Sequence, residues 1–421
     1  MKTQIKALLI LLMMGLSSSS IAQNKPVELK KTEIVKVIGT VEKQLLERYV
    51  DLDVAKKMSA AIKSNLASGN YDAITNSKAF AQKLTRDLQA ISKDKHLKLN
   101  FEPRRIANSK RILSSADSVK QANKMHKGMQ RSNYGLQVAK VIEGNIGYLN
   151  IKYFADAAIA KETYQAALAF LSNTNALIID LRENGGGQPS TVKLLSSYFF
   201  EQHEVLLNTF YSRFNKETEE FRTEKEIDGK RLPNMKLFIL TSEKTFSAAE
   251  AFAYNLKHLN RAVIIGETTR GGANRTKRMP INQNFSISVP YIQAIHPVSK
   301  SNWEGVGVIP NIETTSKEAF ALAYVEAINQ TMGNHPAKNT ILNRAGYSFL
   351  NSNAFSDAIG ILKANAELHP TDANAWDSLG EAYLKTGDKE NALQFYKKAL
   401  AIDPTLPSAL EVVNKLETKN Q

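Results

Sequence analysis

The sequence predicts a central α/β domain, a mixed sheet with flanking helices, preceded by a small three-helix domain and followed by an all-α repeat pair. Three observations carry this. Apolar residues recur at helical spacing from Ile34 to Ile91, the period of helix faces packed on a core. From about Tyr134 the pattern changes to short apolar, β-branched runs separated by helix-like stretches, the alternation of an α/β domain. Beyond position 338 the sequence repeats itself, with Gly346 recurring as Gly380 and Pro370 as Pro404.

Lys2 and Lys6 flank the start of an apolar run, Ala7 to Leu16, and Ser20-Ile21-Ala22 offers a small-x-small cleavage point. Residues 1–22 therefore read as a signal peptide, and export to a periplasmic or secreted location is expected, with a mature start at Gln23. The run is well short of the roughly 20 residues that span a bilayer, and no later run is long enough, so the mature chain is expected to have no transmembrane segment. None of the 421 residues is cysteine. An exported chain of this kind relies on its cores without disulfides, and thiol catalysis and thiolate metal sites are excluded. The formal net charge is +14, which raises the question of an anionic partner. The densest basic stretch, Arg104 to Arg131, sets eight Lys/Arg against Glu102 and Asp117 without interleaved aromatics, so no nucleic-acid partner is expected.

Residues 23–101 form the predicted helical domain. Ile34, Ile38, Val41, Leu45 and Tyr49 mark one helix, Val54, Met58, Ile62 and Leu66 a second, and Phe80, Leu84, Leu88 and Ile91 a third behind an Asn76 cap. Leu97, Leu99 and Phe101 then alternate as a strand with His96 at its entrance. Residues 102–133 read as a basic linker. Within 134–330, "YGLQVAKVI", "IGYLNIKYF", "ALIIDL", "KLFILTS" and "AVIIGET" read as strands, and residues 160–171, 191–200, 248–259 and 318–328 as helices. Residues 206–227 look like an inserted hairpin, too polar for the core. From 338 to 421, Leu342 corresponds to Trp376, Gly346 to Gly380, Phe349 to Tyr383, Ala358 to Ala392 and Pro370 to Pro404. Period and small residues at the helix crossing match two tetratricopeptide repeats. The tail caps them, the pair is expected to lean on the central domain, and a protein partner on the repeats is expected.

Ser247 stands between a strand-like run and an alanine-rich helix, and Glu250 in the first turn of that helix completes a capping box, so its local pattern is that of a helix cap. Gly185, Gly186 and Gly187 end the strand "ALIIDL" region; glycines there let the backbone approach a ligand and turn N–H groups toward an anion, although a flexible turn has the same composition. No Gly-Lys-Ser/Thr follows, which excludes a nucleotide P-loop.

Taken together, "LIIDLRENGGG", "ILTSEKTFSAAEAFAYNLK", "RAVIIGETTRGGA" and "NWEGVGVIPNIE" resemble the tail-specific and C-terminal-processing serine peptidases over residues 134–315. The resemblance implies that Ser247 is a nucleophile. In the C-terminal-processing branch the base is a lysine, set in a Gly-Lys-Gly context downstream of the serine. Here the corresponding position is Gly272, and Arg270 cannot substitute because arginine does not deprotonate in proteins. The chain thus resembles the branch of the tricorn core and the interphotoreceptor retinoid-binding protein, which implies His96 as general base and Glu304 as its orienting carboxylate. Gly186, Gly187 and Ala248 are the expected oxyanion donors, the substrate a polypeptide, and neither metal nor organic cofactor is required. Lys95 stands where the tricorn-like pattern has serine, and Asn311 where the family usually has aspartate. His296 is the one other histidine expected near the site. The alternative on the same fold is a non-catalytic binder of apolar ligands or polypeptide termini, with the repeats as an interaction module.

Overall fold

A computed structural model describes residues 28–110, 114–201 and 204–418; the expected signal peptide lies outside the described residues. Helices α1 (Lys31–Arg48), α2 (Leu52–Ala67) and α3 (Ser77–Ser92) open the chain. The Asp51 and Asn76 side chains cap α2 and α3 by accepting N–H groups of the first turn, which satisfies donors that a helix leaves orphaned. Strand β1 (Lys98–Phe101) follows, then α4 (Pro103–Lys110) and α5 (Ser115–Arg131). The stretch expected as a linker is therefore largely helical. Ser114 caps α5 by accepting the Asp117 N–H, yet none of its side chains is buried, so no apolar stripe announced the helix.

The central sheet contains β2 (Leu136–Ile142), β3 (Ile146–Ile151), β4 (Ala176–Asp180), β7 (Lys236–Thr241), β8 (Val263–Gly266) and β11 (Ile312–Glu313), in the order β11-β8-β7-β4-β3-β2. All neighbours are parallel except the β2–β3 hairpin. Every residue of β4 is buried, as expected of a strand covered on both faces. Helices α6 (Ala157–Leu171), α7 (Pro189–Tyr198) and α8 (Ala248–His258) share one core with one face of this sheet, and α9 (Ala319–Met332) packs on the other.

A second sheet runs β1-β10-β5-β6, with β9 also on β10; its members are β5 (Leu206–Ser212), β6 (Glu217–Arg222), β9 (Arg275–Pro280) and β10 (Phe285–Ile295). Phe285, Ile287 and Val289 of β10 complete the core of the N-terminal helices, so these helices and the central region are joined through β1. The β5–β6 hairpin is present, but the expectation that it is too polar for the core needs correction: Phe210 is buried on the strand face it shares with Asn208 and Ser212, and Leu207 is buried at the irregularity that shifts the β5–β6 register.

The C-terminal helices are α10 (Lys338–Asn351), α11 (Phe355–Leu368), α12 (Ala373–Lys385), α13 (Lys389–Ile402) and α14 (Pro407–Thr418). Gly346 and Gly380 sit where the helices of each pair cross: a Cβ at Gly346 would lie 2.4 Å from Leu362, and one at Gly380 3.1 Å from Tyr396. Phe320, Tyr324 and Ile328 of α9 bridge Ile178, Phe238 and Leu240 of the sheet to Leu342, Phe349 and Ile361 of the repeats in one continuous core. Truncation after Gly333 uncovers that face of α9. A melting midpoint lower by roughly 5 °C or more is expected for the truncated chain; an unchanged midpoint in a scanning calorimeter contradicts the continuous core.

Candidate active site

Ser247 ends the loop that leaves β7 and starts α8. Its backbone is left-handed, φ 56° and ψ −117°, a conformation that costs a serine about 1–3 kcal/mol and persists only where neighbours hold it. They do. Thr245 Oγ1 donates to Leu181 O at 2.8 Å, the Phe246 N–H donates to Asn184 O at 3.0 Å, and the Ser247 N–H donates to Glu250 Oε2 at 2.8 Å. The strand-to-helix turn therefore presents Oγ at the lip of a cleft of about 460 Å³.

His96 reaches this cleft from the N-terminal region. The Asp94 carboxylate accepts the His96 N–H at 2.9 Å, and Gln89 Nε2 donates to Leu97 O at 2.9 Å, fixing the turn between α3 and β1. The ring packs on Phe246, with centroids 4.5 Å apart. His96 Nε2 lies 3.4 Å from Ser247 Oγ, although the two residues are 151 positions apart. On the other side of the ring, Asp94, His96 and Glu304 each offer an atom within 4.8 Å of the other two. His96 Nδ1 and Glu304 Oε1 are buried without a hydrogen-bond partner among the described residues, with Asp94 Oδ1 3.8 Å from Nδ1. Glu304 Oε2 accepts the Ala273 and Asn274 N–H groups at 2.7 and 3.0 Å, and Asp94 Oδ2 accepts from Asn274 Nδ2 at 3.2 Å.

Burial is the largest influence on all three groups. It holds the imidazole below its ordinary value, with Arg270 adding to the effect and Asp94 opposing it. It raises Asp94, and with the Asp94 charge it pushes Glu304 up to about 8. The cation acting on the ring is thus Arg270, not the neighbouring Lys95, whose ammonium instead donates to the Arg270 carbonyl. A neutral imidazole facing a serine hydroxyl can take its proton, and carboxyl groups behind the ring can stabilise the resulting cation.

The glycine turn flanks the serine. Asn184 Oδ1 accepts the Gly186 N–H at 2.8 Å, so Gly186 is not free to donate to an oxyanion, contrary to expectation. It packs against the elbow instead: a Cβ there would lie 2.9 Å from Ser247 Cβ. Gly187 and Ala248 line the cleft. His296 does not reach the cleft; it is fully buried, its Nδ1 accepts N–H groups of Val298 and Ser299, and its ring lies against Tyr254. Asn311 pairs with Ile264 at the sheet edge, away from Ser247.

Sequence reasoning missed Asp94 and the second role of Glu250. Besides the Ser247 N–H, the fully buried Glu250 carboxylate accepts Thr269 Oγ1 and the N–H groups of Gly271 and Gly272 at 2.5, 2.6 and 2.9 Å. Only its capping-box position was visible. These bonds press Gly272 onto the histidine, where a Cβ would lie 2.6 Å from His96 Cε1 and 2.3 Å from the Phe246 ring. The imidazole thus fills the space that a side chain at position 272 would need.

A serine on a strand-to-helix elbow facing a histidine is the geometry of a serine hydrolase. Residues 145–314 match peptidase family S41, residues 21–132 match the N-terminal domain of peptidase S41 in eukaryotic IRBP, and residues 373–406 match a tetratricopeptide repeat. Residues 145–314 therefore form a peptidase family S41 domain. The chain is 22% identical over 282 residues to the carboxy-terminal processing protease CtpA of Bacillus subtilis, covering 65% of this chain and 57% of that one. To the tail-specific protease of Haemophilus influenzae it is 28% identical over 194 residues, covering 45% and 26%. The chain thus spans less than two thirds of the length of either relative. Among solved structures, a photosystem II D1 C-terminal processing protease aligns with a TM-score of 0.43 and 14% identity, over 66% of this chain and 92% of that one.

The glycine contacts separate site from scaffold. Gly185 has no atom within 4 Å of its added Cβ, whereas a Cβ at Gly187 would lie 2.0 Å from Phe154 O. Gly185→Ala is expected to keep wild-type turnover of a peptide substrate, and Gly187→Ala and Gly272→Ala to lose roughly tenfold or more, since overpacking by even one methyl costs about 1–3 kcal/mol. Equal kcat/KM for all three variants contradicts this geometry.

Proposed function

We propose that the protein is an exported serine peptidase that cleaves polypeptides through an acyl-enzyme on Ser247. The observation that carries the reading is the approach of His96 Nε2 to Ser247 Oγ, between a strained elbow and a desolvated ring from opposite ends of the site. His96 takes the hydroxyl proton as Oγ bonds to the scissile carbonyl carbon. The carbonyl oxygen becomes an oxyanion and receives the Gly187 and Ala248 N–H groups. Glu304, with Asp94 beside it, stabilises the imidazolium. The proton passes from Nε2 to the leaving amine as the C–N bond breaks, and a water deprotonated by the same nitrogen hydrolyses the ester. The tetratricopeptide repeats hold a protein partner or a large substrate on the far face of the central sheet.

Among the described residues no helix is long and apolar enough to cross a membrane, and the signal-like segment 1–22 supports export. A carrier of apolar ligands on this fold has no chemical use for a histidine held against the serine.

The pH profile tests the assignment. The base works as neutral imidazole, so kcat/KM rises with pH through a His96 pKa below 6.5. Glu304 loses its proton near 8, and its charge favours the imidazolium, so a second rise through about pH 8 is expected. Glu304→Gln removes the upper rise and keeps the lower; His96→Ala lowers kcat/KM by roughly 10²–10⁴ without unfolding. Wild-type turnover in a folded His96→Ala protein assigns the base elsewhere.

A further inference from the structure

The cleft beside Ser247 has a wall that the acyl-transfer chemistry leaves unused. Val192, Phe210, Phe221, Ala251 and Trp303 make much of it apolar, and no aspartate or glutamate occurs among its described lining residues. One guanidinium interrupts this wall. Arg275, the first residue of β9, has its Cζ 3.5 Å from the centre of the Phe210 ring and 5.8 Å from that of Phe221. Its side chain is 28% exposed, its Nε is buried with no hydrogen-bond partner among the described residues, and its ion pair is with Glu219 at 3.4 Å. Glu219 is 64% exposed on β6, at the outer edge of the hairpin.

A cation drawn this far out of water is stabilised best by an anion sharing the same low-dielectric surroundings. A solvent-exposed glutamate with one long contact supplies little of that. The ring of Phe210 meanwhile holds the guanidinium close, and such a fork suits a carboxylate that meets it with both oxygens.

We propose that Arg275 forms a carboxylate-binding subsite in this cleft: a substrate carboxylate, beside an apolar residue, displaces Glu219 and pairs with the guanidinium. The carboxylate is carried either on an acidic side chain or on the chain terminus. Glu219 then acts as the internal stand-in that keeps Arg275 paired while the cleft is empty. The inference rests on the peptidase reading of the same cleft, and it makes Arg275 a specificity-determining residue with no part in proton transfer.

Binding to the full chain carrying Ser247→Ala, read by calorimetry, separates this from turnover. Three short peptides share one apolar residue: one ends in a free acid, one in an amide, and one is amidated but carries an aspartate next to the apolar residue. At least one acid-bearing peptide is expected to bind roughly tenfold tighter than the neutral amide, and which one gains identifies the source of the carboxylate. Adding Arg275→Met, which keeps an apolar stem over Phe210, abolishes the preference and leaves the neutral amide unchanged. Glu219→Gln, an exposed change that leaves the fold intact, removes the competitor and tightens the acid-bearing peptide further. Equal or absent binding of all three peptides, uniform loss in Arg275→Met, or weaker acid binding in Glu219→Gln overturns the proposal and leaves the peptidase reading standing. A carboxylate preference in a protein whose wild type hydrolyses none of these peptides overturns that reading instead.

Discussion

A fully buried carboxylate, that of Glu250, accepts hydrogen bonds from two separate stretches of chain: the elbow at Ser247 and the loop from Thr269 to Gly272. Burial raises its pKa against those four donors, and its place in the first turn of α8 sets it at the positive end of the helix dipole. One side chain thereby holds the serine in a left-handed conformation and seats Gly272 beneath the imidazole. Thr269 extends the tie, since its Oγ1 also accepts the Val308 N–H, and Trp303 Nε1 donates to Gly272 O. The loop carrying Glu304 is thus locked to the loop carrying Gly272. Serine, histidine and carboxyl group come from three distant segments, and this knot fixes their spacing.

The electrostatics follow from the same packing. Asp94 and Glu304 lie together with the His96 ring in a largely dry environment, and charging both acids at once is unfavourable. Burial, the largest cause, raises both Asp94 and Glu304, the Asp94 charge adds to it at Glu304, and desolvation holds His96 below its ordinary value. Backbone N–H groups of Ala273 and Asn274 and the Asn274 amide partly offset the cost. His96 Nδ1 and Glu304 Oε1 are buried without a hydrogen-bond partner among the described residues, and the Asp94 carboxylate lies 3.8 Å from Nδ1.

Much of this was legible in the sequence, because local pattern dictates it. The parallel strands, the Asn76 cap, the tetratricopeptide period and the helix at Ala248 all follow from periodicity and capping chemistry. What was not legible depends on pairing across long separations. Nothing near Lys98 reveals that β1 joins β10, far along the chain, with Lys98 opposite Ser288. Phe210 sits in a polar hairpin and is buried by packing into the central core, on Phe221 and under Arg275. Gly186 and Gly187 look alike in a triplet, and only the position of the Asn184 side chain distinguishes the N–H that is already bonded. Helix α5 has no buried face, so hydrophobic spacing had nothing to report.

Activation of Ser247 in the folded protein is the requirement on which all of this chemistry rests. Covalent labelling with a fluorophosphonate, mapped by peptide mass spectrometry on the folded protein near neutral pH, tests it directly. One adduct on Ser247 is predicted, absent in Ser247→Ala and formed far more slowly in His96→Ala. A well-folded wild type that takes no label, or takes it on another residue, contradicts the proposal.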